Sequence, residues 1–235
     1  MTYLDQIEQE SAAFLRAVTG NLDKRVPSCP KWDVGDLTAH LGSVQRFHAR
    51  HVIRGVTDDP DRSTPIDIPD EDDQLLVWFE EGTRVLLAAL RDVGTDTPAW
   101  SFGEPKTSAF WHRRMALEAA IHRWDAQSAL RDAQGFDVDV AVDGIDEVLT
   151  VHTPSDLQHE PVDVRGVVAV RLTDSDRAWL VEITGDDLVP ATEKTPVAVL
   201  EGTATGVFLA LWGRVPLSSL TTEGDETQVA ALRTG

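Results

Sequence analysis

Residues 117–126 read Leu-Glu-Ala-Ala-Ile-His-Arg-Trp-Asp-Ala, and the interpretation of the first half of the chain starts from this stretch. Glu118 and His122 are four residues apart, so on a helix their side chains lie on one face, one turn above the other. A carboxylate oxygen and an imidazole nitrogen spaced in this way can both reach one metal ion at about 2 Å. The same spacing also occurs as an ordinary intrahelical pair, which contributes only about 0.2–0.5 kcal/mol.

Three further helical patterns precede this stretch, and loops rich in Pro and Asp separate them. Thr2 and Asp33 stand where they can cap the first two helices, and Asp36 takes the place of the capping-box acid in the second. Four helices of about 15–25 residues joined by loops favour an antiparallel four-helix bundle over residues 1–134. The second predicted helix stops near Gly55, the third covers Asp73–Val93 and the fourth covers Thr107–Arg131.

The second half of the chain, residues 138–235, has a different pattern. A helical stretch begins at Asp137, and β-branched runs that alternate in polarity follow it. Strands and helices of this kind predict a small α+β domain, so that the fold class of the whole chain is α+β. The predicted strands are Val167–Leu172, Trp179–Ile183, Val197–Glu201 and Leu220–Glu223, with a helix over Thr203–Trp212 and another at the C-terminus.

The charge of the chain argues against nucleic-acid binding. The net charge is −19, with 40 acidic and 21 basic residues, and a surface this negative repels phosphate backbones. A run of about 18 apolar residues, which a membrane span needs, does not occur. The N-terminus carries acids from its start and predicts no secretory signal.

Cys29 is the one cysteine of the chain, so the sequence excludes an internal disulfide and a zinc site built on several thiolates. It lies between two prolines, away from a helix N-terminus that would lower the pKa of its thiol. These features predict a structural or incidental role for Cys29 and a cytoplasmic protein.

Helix geometry sorts the seven histidines of the chain. His112 precedes His122 by ten residues, about 15 Å along a helix axis, so these two cannot share an ion. The third ligand must come from another helix, and His40 on the second helix is the natural donor. Two imidazoles and one carboxylate suit a divalent ion such as zinc, nickel, iron or manganese, and three protein ligands leave a position open for water or substrate.

Asp125 follows His122 by three residues and lies on the same predicted helix face. It can orient a ligand from the second coordination shell or serve as a fourth ligand. His40 on an inner helix face is equally compatible with a hydrogen-bonded core histidine. Spacing alone therefore leaves both a metal site and a structural cluster open.

Three stretches in order, Trp32–Leu41, Leu117–Ala126 and Ala141–Leu149, together resemble the mycothiol-dependent maleylpyruvate isomerase family. That family belongs to the DinB-like metal-binding helical bundles and carries a sterol-carrier-like C-terminal domain. The resemblance implies that His40, Glu118 and His122 bind a divalent metal, usually zinc, and that mycothiol is the thiol co-substrate. It also implies that Arg214 contacts the substrate, although a surface arginine after a helix-ending glycine is an equal interpretation.

From the residues and the resemblance we expect a metal-dependent thiol enzyme, an isomerase or S-transferase that acts on a small electrophile. Two alternatives stay open. The first is a non-catalytic carrier that encloses an apolar small molecule, and the second is a relative in which the metal only braces the bundle. The expected partners are a small substrate and a thiol, with neither nucleic acid nor membrane, and the oligomeric state is a monomer or a weak dimer.

Overall fold

The computed structural model describes residues 1–234, which form two compact units, Met1–Gln134 and the chain from Gly135 onward. The first unit consists of four long helices. These confirm the predicted helical N-terminal half, and with the sheet of the second unit they confirm the α+β class. The helices are α1 (Tyr3–Val18), α2 (Val34–Val52), α3 (Asp72–Val93) and α4 (Ser108–Ala129).

Capping boxes fix where α1 and α2 begin. The Asp33 side chain accepts a hydrogen bond from the backbone N–H of Asp36 at 2.9 Å, and the Asp36 carboxylate accepts one from the N–H of Asp33 at 3.0 Å. Thr2 and Asp5 form the same reciprocal arrangement at α1. These contacts satisfy N–H groups that a helix leaves unpaired at its start, so the sequence sets the first residue of each helix locally.

The core of the bundle lies where α1, α2 and α3 meet. Phe14 and Phe79 are fully buried there, with ring centroids 4.8 Å apart. α2 and α3 approach closely at Gly42, where an added Cβ would lie 2.3 Å from the Trp78 ring. The buried members of this core are Phe14, Val18, Leu22, Val26, Val34, Leu37, Leu41, Leu75, Phe79 and Ala126.

The fourth helix is buried on most of its sides, because it packs against both α1 and α2. Its polar residues therefore lie inside the bundle, and each needs a partner there. The helix ends at Ala129, two residues before the predicted end at Arg131, which has a positive φ of 59°. This arrangement places Glu118 and His122 in the interior.

The second unit is a five-stranded mixed sheet with short helices. The strand order is β3-β2-β1-β4-β5, in which β1 and β4 are parallel and the other pairs antiparallel. β1 and β2 pair in the register that aligns Val170 with Trp179. The strands are β1 (Gly166–Leu172), β2 (Ala178–Ile183), β3 (Leu188–Pro190), β4 (Ala198–Gly202) and β5 (Thr221–Gly224).

The helical stretch predicted from Asp137 extends further than its sequence pattern. It comprises α5 (Val138–Glu147), a π-helical turn over Val148–His152 and α6 (Thr153–His159). Two more short helices complete the unit, α7 (Ala204–Leu211) and α8 (Glu226–Ala230). Among the residues that the structure describes, no helix is both long and apolar enough to cross a membrane.

Candidate metal centre

Two helices bring three potential metal ligands to one point in the first unit. Oε1 of Glu118 lies 3.5 Å from Nε2 of His40 and 3.2 Å from Nε2 of His122. One donor atom from each of the three residues lies within 4.8 Å of the other two. Ligand atoms around a tetrahedral ion with bonds of 2.0–2.1 Å are about 3.3 Å apart, so the spacing of this donor set fits a divalent ion such as zinc.

The two carboxylate oxygens of Glu118 have different partners. Oε2 accepts from the guanidinium of Arg114, one helical turn earlier, while Oε1 lies near the two imidazoles. Burial of Glu118 opposes its ionisation, but His122 and Arg114 outweigh burial and hold the pKa of the carboxyl well below its usual value. Glu118 is therefore an anion whose Oε1 is directed to the cluster.

Asp125 orients the second histidine. Its Oδ2 lies 3.0 Å from Nδ1 of His122, and its Oδ1 accepts a hydrogen bond of 2.6 Å from the hydroxyl of Ser28. Asp125 is fully buried, so its carboxylate depends on these partners for compensation. An Nδ1–H donated to Asp125 leaves Nε2 of His122 as the nitrogen that faces Glu118, as a second-shell carboxylate does for a metal-bound histidine.

The acidic surroundings also change the affinity of His122 for a proton. Burial alone would lower its pKa, but Glu118 and Asp125 overcome that effect and raise the pKa to about 9. A divalent ion competes with protonation of His122, since only the neutral imidazole is a ligand.

The cluster is open on the side of His40. The His40 side chain is 36% exposed, against 14% for Glu118 and 8% for His122. The ring of Trp32 lies beside it, with a centroid distance of 4.9 Å. Two ligands are therefore held inside the bundle and one at its surface, where water or a small molecule can approach.

The remaining predicted residues lie elsewhere. Nδ1 of His112 is 2.9 Å from the carbonyl oxygen of Ser108, and this buried histidine is not part of the cluster. Arg214 lies in the second unit, where its guanidinium donates to the carbonyl of Trp212 at 2.8 Å and lies 5.6 Å from the Trp212 ring centroid. Its assignment to a substrate stays a prediction. Cys29 is half-buried and packs on the core of the bundle.

Sequence reasoning missed two residues of the site. Arg114 carried a local signal, because it precedes Glu118 by four residues, the spacing of a helical ion pair. Ser28 carried none, because it lies in a loop 97 residues before its partner Asp125. Only the packing of that loop against α4 makes Ser28 part of the site.

A four-helix bundle with a His–Glu–His donor set, followed by a small unit with a mixed sheet, defines the class of protein. It is an α+β protein whose helical part carries a candidate metal site. Comparison with known protein families identifies one family within this class. The chain belongs to the mycothiol maleylpyruvate isomerase family, whose N-terminal domain model matches residues 4–127 and whose C-terminal domain model matches residues 139–231.

Two solved structures have a similar fold. They are crystal structures of the mycothiol-dependent maleylpyruvate isomerase and of a variant of it with one histidine replaced by alanine. Their TM-scores are 0.60 and 0.59, with sequence identities of 14% and 13%, and in both cases the match covers 95% of this chain and 92% of the other. A comparison with curated proteins found no match. The family predicted from the sequence is confirmed, and with it an enzyme of the isomerase type at the level of the family.

Proposed function

We propose that the protein is a metal-dependent enzyme that uses mycothiol to isomerise or conjugate a small electrophile. The observation that carries the proposal is the convergence of His40, Glu118 and His122 from two helices on one point. Two nitrogens and one oxygen suit zinc, and three protein ligands leave a coordination position for an exogenous group, as catalytic zinc sites do. The metal, when bound, would supply a Lewis acid that lowers the pKa of a thiol and holds it as the nucleophilic thiolate.

The residues of the chain prepare this site in three ways. Arg114 compensates one oxygen of the buried Glu118, so that the other can serve as a ligand without an unpaired charge. Asp125 holds Nδ1 of His122 and thereby presents Nε2 to the metal. His40, the most exposed of the three, lies where the substrate would enter.

The sulfur nucleophile must come from outside the chain. The sequence contains one cysteine, Cys29, and it is not a member of the cluster. Mycothiol is the thiol named in the family to which the chain belongs. Its use fits the reducing cytoplasm in which we place the protein.

Two reactions follow from attack of a thiolate on an activated double bond. A carbon–sulfur bond forms, the double bond opens, and the adjacent carbon carries the resulting electron pair. Rotation about the new single bond and expulsion of the thiolate give the other double-bond isomer, whereas protonation of the carbon gives a stable conjugate. The charged residues buried at the site are compatible with both isomerisation and conjugation. The name of the family supports isomerisation.

The test combines metal analysis with thiol-dependent turnover. We expect the untagged protein to contain a full equivalent of a divalent metal, and His122→Ala to lose both the metal and the turnover with a low-molecular-weight thiol. His112→Ala is the matched control, because His112 lies on the same helix and is as buried as His122, with 6% of each whole residue exposed. Circular dichroism checks that both variants fold.

Full metal occupancy in His122→Ala would rule the ligand set out. Metal-dependent melting without turnover by any thiol would identify the cluster as a structural brace. A metal-free protein that co-purifies with a lipid-like molecule would favour the carrier alternative.

A further inference from the structure

A second side-chain pairing between α2 and α4 lies about two turns from the metal cluster. His48 follows His40 by eight residues on α2, about 12 Å along the axis. Trp111 precedes Glu118 by seven residues on α4. The rings of His48 and Trp111 are stacked, with centroids 3.7 Å apart and planes 27° apart. Because the two helices run in opposite directions, both pairings lie along the same line of contact between α2 and α4.

An open pocket of about 530 Å³ borders this second pairing. Aromatic rings form much of its wall, since Phe47, Trp100, Phe102 and Trp111 all line it. The indoles of Trp100 and Trp111 are stacked at 5.9 Å with planes 18° apart, and Phe102 meets Trp111 edge to face at 6.0 Å. Walls of this kind favour a flat, unsaturated molecule, which can lie against ring faces and edges.

Arg62 supplies the charge of the pocket. Its guanidinium carbon lies 5.0 Å from the ring centroid of Trp100 and 5.6 Å from that of Phe47. Its ion-pair partner Asp59 is 3.5 Å away, and both side chains are well exposed, at 60% and 72%. Such a surface pair contributes little, so the guanidinium has the capacity to bind a second anion. Of the described residues that line the pocket, Arg62 is the one with a permanent charge.

His48 also borders the pocket. Its Nδ1 is buried without a hydrogen-bond partner within residues 1–234, so this atom is not part of the pocket surface. The wall therefore combines aromatic faces with a single cation.

We propose that this pocket, formed by Phe47, Trp100, Phe102 and Trp111 with Arg62 at its edge, binds a planar, conjugated monocarboxylate, for which naphthoate is a stable probe. The proposal rests on the proposed function, for which it defines the class of electrophile. The carboxylate pairs with the guanidinium of Arg62, and the conjugated body lies against the indoles, about two helical turns from the metal cluster. One cation matches one anionic group, and a small, fully polar diacid would leave the aromatic walls without contacts.

Isothermal titration calorimetry with three probes tests the proposal. The probes are 2-naphthoate, its neutral analogue 2-naphthamide, and the small diacid maleate. We expect naphthoate to bind about threefold more tightly than naphthamide, because the pair with Arg62 is exposed, and about tenfold more tightly than maleate, which lacks the aromatic contacts. Equal affinity for naphthoate and maleate, or no binding of naphthoate, would overturn the proposal.

Two variants divide the interaction into its parts. Arg62→Gln should remove the preference for naphthoate over naphthamide and leave naphthamide binding within about twofold of the original. Phe102→Ala, at a partly exposed position, should weaken both naphthalene probes to a similar degree. Arg84→Gln is the matched control, because Arg84 is an exposed arginine with an acidic partner three residues away, as Arg62 is. An unchanged preference in Arg62→Gln would refute the role of Arg62.

The two proposals fail separately in these experiments. A metal-containing protein with thiol turnover that ignores naphthoate would refute the pocket and keep the proposed function. A protein without metal that still binds naphthoate through Arg62 would refute the proposed function and keep the pocket.

Discussion

Two groups of histidines occupy the same bundle and have opposite surroundings. His40 and His122 meet a carboxylate, Glu118, whereas His48 and His51 both meet the ring of Trp111. Glu118 and Asp125 overcome the effect of burial on His122 and raise its pKa to about 9, while burial and the nearby Arg54 lower the pKa of His51 to about 4. Within one small bundle, the surroundings of His122 therefore favour a cation, whereas those of His51 favour the neutral imidazole.

The difference teaches that burial alone does not decide what a histidine does. Desolvation is the largest influence on both His122 and His51, and it acts in the same direction on each. The acids near His122 reverse the result, and no acid of comparable effect lies near His51. The charge of the neighbours, more than depth in the core, separates a metal-type site from an aromatic wall.

Removal of Glu118, the acid that meets His40 and His122, should have the largest effect on metal binding and stability. Glu118→Gln takes away a ligand and breaks the buried ion pair between Glu118 and Arg114, so we expect metal binding to be lost. We also expect the free energy of unfolding of the metal-free protein to fall by about 3 kcal/mol. Metal analysis and urea unfolding measure the two effects. Glu81→Gln, which breaks an exposed pair with Arg84, serves as the control and should change neither quantity much.

A smaller effect should follow when the ligand stays and its support is changed. Asp125→Asn replaces the carboxylate that holds Nδ1 of His122, and we expect the metal affinity to fall by about 10–100-fold. Ser28→Ala removes one hydrogen bond to Asp125 and should have a weaker effect in the same direction. Competition with a chromophoric chelator gives the affinities. A larger loss of metal affinity in Ser28→Ala than in Asp125→Asn would contradict this prediction.

The stability of the protein should depend on pH through His51, which lies among aromatic rings. His51 has a pKa near 6.5 when unfolded and about 4 in the folded protein. Between these values the unfolded chain binds more protons, so stability that is present above pH 6.5 is lost as the pH falls towards 4. We expect His51→Phe to reduce this loss when urea unfolding is compared at about pH 7 and about pH 5. An identical pH dependence in the variant would show that His51 does not contribute.

The smallest effect is expected at the start of α2, seven residues before His40. Asp33→Ala removes the capping contacts of this helix and should cost about 1 kcal/mol of unfolding free energy. The metal affinity should change by less than about threefold, since the packing of α2 against α4 and not its cap holds His40 in place. Thr2→Ala is the matched control, because it removes the same kind of cap from a helix without a member of the cluster. A large change in metal affinity in Asp33→Ala alone would show that the cap positions the ligand.

Local signals in the sequence predicted the elements of the fold well. The capping residues Thr2 and Asp33 occur where the helices begin, and the alternating runs became β1, β2 and β4 with small shifts at their ends. The π-helical turn and α6 after α5 were missed. The sequence pattern after Leu149 has no clear helical period, and packing within the second unit extends the helix there.

For the candidate site, the sequence by itself determined that Glu118 and His122 share one helix face and that His112 lies too far along the same helix to join His122. These statements depend only on helical geometry, which acts over a few residues. The tertiary structure decided that His40 meets Glu118, that Ser28 holds Asp125 and that His48 stacks on Trp111. Those pairs join residues far apart in the chain, and their contacts exist only because the helices and the loop before α2 pack together in one particular way.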